Sequence, residues 1–276
     1  MKTSTTLGVL FGTATLGLAF STPALAAESA IGLSFGLHSG SQASETNTLV
    51  APRLDADIGV SDHFGVRVIL PMTSLSRTNG QGTFRFGNPY AGGFWTTDLE
   101  VISLKLGAGL TLPAASFPED AAELAPAIQA YNTAQGLAGL GDFWLYQPGT
   151  MALVVPLEAR IDIPLVELRA DATWALLIST SDRSNSDTAL QLGGEVLFDL
   201  PFVAFGARVQ SVWIPTTDGD AMQVSIAPLV ELEAGPFYAR TKFVINLDGP
   251  AGFSFDDNSS GSSKFWGWQL GAGVRF

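Results

Sequence analysis

Residues 264–276 read KFWGWQLGAGVRF, and the alternation in this stretch constrains what the chain can fold into. Trp266, Trp268, Leu270, Ala272, Val274 and Phe276 take every second position. Phe265, Gly267, Gln269, Gly271, Gly273 and Arg275 fall between them. Successive side chains of a strand point to opposite faces, so this strand has one oily face and one small or polar face. Such a strand needs an apolar medium on one side and a polar or crowded space on the other. The two tryptophans lie near one end and Phe276 at the other, as aromatics flanking a membrane core would.

The same period recurs upstream. Eleven further segments of about ten alternating residues can be drawn: 29–38, 48–59, 64–72, 83–95, 99–112, 150–163, 167–179, 188–199, 203–214, 221–234 and 237–247. In 83–95 the pattern assigns Phe84, Phe86, Tyr90 and Phe94 to one apolar face interrupted by Asn88. Short turns (60–63, 96–98, 164–166, 200–202, 235–236) alternate with longer polar loops (39–47, 73–82, 113–149, 180–187, 215–220, 248–263). Pro156 and Pro228 fall inside strands, where each removes a ladder donor and marks a bulge or a misplaced boundary.

The ions lie opposite the apolar face. Arg53, Arg67, Lys105, Arg160, Arg169, Arg208, Arg240, Lys242 and Arg275 share that face with Asp55, Asp57, Glu158, Asp162, Glu167, Asp171, Glu195, Glu231 and Glu233. A cation on a lipid face near mid-membrane costs about 2–4 kcal/mol, so this face is expected to line an enclosed lumen. The pattern leaves two uses open: a salt-bridged network filling a narrow interior, or a polar path. A soluble lipocalin-like barrel has eight strands and an interior suited to one small ligand. The sequence therefore implies an all-β fold, a transmembrane up-and-down antiparallel barrel of about twelve strands. The even count puts both termini on the periplasmic side.

Composition closes other routes. No apolar run reaches the 18 residues of a membrane helix, although 46% of the chain is apolar. Cysteine is absent, which removes disulfides and thiolate metal sites. A net charge of −12 without a basic stripe argues against nucleic acid. Residues 1–26 combine Lys2, an apolar stretch and Ala24-Leu25-Ala26, the layout of a signal peptide, leaving 27–276 as the barrel domain. Within the long excursion 113–149, Pro118 and the early acids Glu119 and Asp120 predict a helix over 119–135, bent at Pro126 and held in an extracellular loop. A long loop with its own helix is usually functional, so this one is expected to constrict or gate the outer mouth.

Several phrases resemble the outer-membrane transporter family of the phenol meta-degradation pathway. Residues 58–64, Ile58-Gly59-Val60-Ser61-Asp62-His63-Phe64, followed by Val66-Arg67-Val68-Ile69-Leu70-Pro71, are similar to its first turn and rising strand. Phe86-Gly87-Asn88-Pro89-Tyr90, Gly107-Ala108-Gly109-Leu110-Thr111-Leu112-Pro113 and Gly139-Leu140-Gly141-Asp142 resemble its later strand starts and ends. The resemblance spans about residues 50–145. It implies passage of small, hydrophobic or aromatic molecules across a bacterial outer membrane and brings no catalytic residues. The 113–149 excursion is longer than the family's pattern.

The chemistry of an enzyme is thinly represented. A barrel lipid hydrolase needs a nucleophile with a histidine base in reach. The two histidines, His38 and His63, fall at opposite rims, without the His-x-Ser spacing. Asp218/Asp220 and Asp256/Asp257 are read as solvated loop acids rather than Ca²⁺ ligands, for no EF-hand spacing accompanies them. The sequence thus predicts no catalytic residues, no metal and no cofactor. The expected partners are outer-membrane lipids and lipopolysaccharide, the barrel-assembly machinery through the strand ending in Phe276, and an unidentified small molecule. Two functions remain: a channel for passive passage of small molecules, or a closed barrel with a structural or surface-binding role.

Overall fold

The computed structural model describes residues 29–42, 45–77, 82–180, 186–215, 222–247 and 266–276. The residues read as a signal peptide and the loop acids Asp218, Asp220, Asp256 and Asp257 lie outside them. The strands are β1 (Ala30–Gln42), β2 (Glu45–Gly59), β3 (Phe64–Arg77), β4 (Gly82–Phe86), β5 (Tyr90–Leu99), β6 (Ile102–Thr111), β7 (Thr150–Ile163), β8 (Val166–Ser179), β9 (Ser186–Leu200), β10 (Val203–Trp213), β11 (Met222–Ala234), β12 (Phe237–Asn246) and β13 (Trp266–Arg275). A helix, α1 (Ala121–Leu137), and a 3-10 turn, Phe143–Tyr146, sit between β6 and β7.

Strands neighbouring in sequence pair antiparallel, except that β5 pairs with β3 rather than β4, and β13 returns to β1 from Ala30↔Arg275 through Leu37↔Trp268. The sheet closes as a twelve-strand barrel, with β4 a short continuation beside β3. Closure leaves the twelve spanning strands without an edge, the condition for a sheet in lipid; β4 pairs with β3 alone. Oily side chains cover the outside: Leu106, Leu157, Val196, Val209, Val230 and Leu270 are all exposed. Exposed aromatics form two girdles. Phe64, Phe198, Phe205, Phe237 and Phe276 lie toward the short-turn rim; Trp174, Trp213, Trp266 and Trp268 lie toward the other. From Trp266 to Phe276 is ten steps of roughly 3.3 Å, which at a tilt of about 40° rises roughly 25 Å, the height of an outer-membrane apolar band.

Three tight turns place a non-glycine residue in the left-handed region: Glu100 (φ 54°), Leu165 (φ 67°) and Phe202 (φ 74°). At Pro164-Leu165 and Pro201-Phe202 proline fixes the first central residue at negative φ, so the second one takes the positive φ that reverses the chain; at Glu100-Val101 the first central residue takes it. The turn expected at 96–98 is not there; Thr96–Asp98 lie inside β5, paired with β6, and the chain turns at Glu100 and Val101. Residues 39–42, 45–47, 73–77 and 186–187, expected as loop, continue strands, because ladder pairing carries polar residues beyond the membrane.

The fourth segment also differs. β3 pairs Ile69↔Tyr90 and Met72↔Phe86, so two residues of β3 face the three residues 87–89. The extra residue is a bulge, and it reverses the faces beyond it. Phe84 and Phe86 point outward, whereas Tyr90 and Phe94 are buried inside. Pro156 and Pro228 cause no such slip. Beside each, the ladder loses two pairs on one side and resumes in the same register: Leu106↔Leu157 then Gly109↔Val154, and Ile226↔Ile245 then Leu229↔Lys242.

Candidate lumen site

The inward face of the short-turn half carries the ions. Arg67 donates to Asp57 (2.7 Å from Nε) and Glu158 (2.6 Å from Nη1), and Lys105 meets the same Asp57. Around the barrel, Arg169 holds Glu231 with both terminal nitrogens, at 2.7 and 2.9 Å, and reaches Glu195 at 3.0 Å and Glu167. Glu195 is 3% exposed and also takes Arg240. Arg208 donates to Asp171 at 2.9 Å. Nearer the rim, Arg160 pairs with Asp162 and Glu167, and Arg275 with Glu233. Arg53 holds Asp55 at 2.8 Å and Asp142 at 2.9 Å. Most of these strand residues, which the alternation assigns to the lumen face, line a cavity of about 1320 Å³ that reaches the rim at Asp62, His63 and Phe276; Asp162, Glu167, Glu231 and Glu233 are not on its lining. Opposite charges so close form hydrogen-bonded pairs, which is how ions tolerate partial burial. Among the described residues Lys242 has no such partner.

The other half of the lumen is filled. The excursion between β6 and β7 does not cap the mouth; it folds inside the barrel. Asp120 caps α1, accepting from the Ala122 N–H at 2.8 Å, so the helix starts two residues later than predicted and runs on to Leu137. Its Ala127 is buried, and its Ala130, Tyr131, Ala134 and Leu137, with Phe143, Trp144 and Leu145, pack on Leu49, Ala51, Ile69, Leu75 and Val154 of the wall. Burial among these apolar groups pushes the Tyr146 phenol up to about 12, so it stays neutral beside Arg53.

Carbonyls at a helix C-terminus have no intrahelical partner. Here wall amides supply donors. Asn246 donates to Gly136 O at 3.0 Å, Gln269 to Leu137 O, and Gln210 to Ala138 O and Gly139 O at 3.2 and 3.0 Å. Gln191 accepts from the Asp142 N–H at 2.8 Å. A Cβ at Gly139 would collide with Ser225 of β11, and one at Gly267 would collide with Leu137. Asn88, fully buried in the bulge, donates to Trp144 O and Gln147 O and accepts from the Ala115 N–H.

These clasping residues were not among the expected site residues. Their signal was present, as uncharged amides at lumen-facing positions of the last strands. Asp142 could not be found that way, since nothing in a loop sequence says which wall cation it meets. The histidines are occupied: His38 Nδ1 lies 2.6 Å from Trp266 O, and His63 Nδ1 lies 3.1 Å from Thr96 O.

No family model matches the chain, and no curated protein matches it. Among solved structures it is similar to an outer membrane channel from Pseudomonas putida F1. That match has a TM-score of 0.57 at 13% identity and covers 93% of this chain and 97% of that one. It is also similar to the NanC porin, with a TM-score of 0.51 at 10% identity, covering 89% and 98%. At such identities the likeness concerns the fold, which is that of a bacterial outer-membrane β-barrel. The resemblance to the phenol-pathway family rests on the quoted sequence phrases alone.

Proposed function

We propose that this chain is an outer-membrane channel, with both termini periplasmic, through which small molecules pass down their gradient. The observation that carries the reading is the split lumen. An ionic vestibule of about 1320 Å³ occupies one half, and an inserted segment, tied to the wall by two ion pairs and a set of amide bonds, closes the other. A barrel needed only as a structural element has no use for so large a lined vestibule. The likeness to a channel and a porin supports the same kind of role. Small molecules would enter the vestibule and pass the wall-facing side of the plug when it shifts.

Purified protein in planar bilayers tests this. Discrete conductance steps are expected, larger in a variant lacking residues 118–136. Silence from both proteins refutes the channel. That silence would favour the closed barrel, for which the dense packing of α1 and the 3-10 turn speaks.

A further inference from the structure

Between α1 and the wall formed by β1, β12 and β13 lies a second cavity of about 330 Å³. Lys242 lines it and has neither an ion pair nor a hydrogen bond among the described residues, unlike the arginines beside it. Its backbone stands opposite Gln269, whose side chain is already committed to the Leu137 carbonyl. The carboxylates on the cavity wall, Asp55 and Asp142, are both held by Arg53, and Glu195, whose charge reaches Lys242, is held by Arg169 and Arg240. The rest of the lining is partly oily, with Ala134 and Leu137 from the plug. A cation in a confined space whose neighbouring acids are all paired to other cations favours an anion from outside, and it is worth more there than in bulk water. A cavity of this size lies in the range of small-molecule sites.

We infer that this cavity is a binding site for a small monocarboxylate with an apolar body. The carboxylate meets the Lys242 ammonium and the body lies against Ala134 and Leu137. The inference rests on the channel reading only for its biological use; the site itself stands on Lys242 and the cavity. It gives the passing molecule a class: an organic acid of about benzoate's size.

The test is calorimetric titration of the detergent-purified chain with sodium benzoate, and with benzamide as the neutral analogue. Saturable benzoate binding is expected, with benzamide at least tenfold weaker. Lys242→Met should lose tenfold or more, and Lys242→Arg should retain binding. The heat-dependent gel mobility of each variant verifies that its barrel is folded. Absence of saturable benzoate binding to the wild-type chain, equal binding of benzamide, or indifference to a folded Lys242→Met overturns the site. Lys242-dependent binding in a protein that never conducts would sustain the site and remove only the channel reading.

Discussion

At the scale of single residues, the ion network and the plug's clasp make separable predictions. Glu195 is buried among three arginines, two of which it pairs closely. Glu195→Ala leaves those cations short of a counter-charge. Breaking a buried pair of this kind costs about 3–5 kcal/mol, and the excess positive charge should turn the lumen toward anions. The readouts are the urea midpoint in detergent and the reversal potential in a salt gradient. A shift toward cations would contradict the geometry. Two ion pairs join the plug to the wall among the described residues: Arg85 holds Glu123 in the first turn of α1, and Arg53 holds Asp142 beyond its C-terminus. Arg53→Ala should loosen the plug and raise open-state noise or conductance, with the barrel still folded. Leu137→Ala removes the side chain seated on Gly36 and Gly267. It should cost about 2–5 kcal/mol and widen the same side of the lumen.

At the scale of elements, the bulge at residues 87–89 is the most exacting feature. It puts Tyr90 into a slot floored by Gly92 and Gly109, where a Cβ would strike its ring. Deleting Asn88 would remove the extra residue, turn Tyr90 and Phe94 to lipid and bring Trp95 into the lumen. It would also strip three hydrogen bonds from the plug's far end. Such a variant should fail to form a barrel that resists detergent, seen as loss of the compact band on an unheated gel. A normal compact band would show that the register is not held by the bulge. Helix α1 is the opposite case. Its helix-start signals were legible in the sequence, but its location was not. Its buried face carries Ala127, Ala130 and Ala134, which read from sequence as helix propensity and only in the fold as a small surface that lets a helix fit inside a narrow barrel.

For the molecule as a whole, a closed ladder with two aromatic girdles implies behaviour that no single residue carries. With the ladder closed on itself and the oily band outside, the protein should need detergent for solubility. It should migrate as a compact species until heated. Phe276 is joined to Ser29 by backbone bonds in both directions, at 3.1 and 2.8 Å, sealing the first and last strands. Phe276→Ala is expected to slow assembly into membranes while leaving the assembled barrel's conductance unchanged, as followed by the rate of appearance of the compact band in liposomes. An unaltered rate would remove the terminal aromatic from the account.

Period-two patterning by itself determined that this chain forms strands with one oily face, that its ions turn inward, and roughly how many strands there are. Those properties depend on nearest neighbours along one strand, and the cost of a charge in lipid enforces them. The tertiary structure alone decided where the faces reverse, which carboxylate each arginine holds, and that the long excursion lies within the barrel rather than over it. Those outcomes depend on registers between strands and on space inside a closed wall, which arise only when the first strand meets the last.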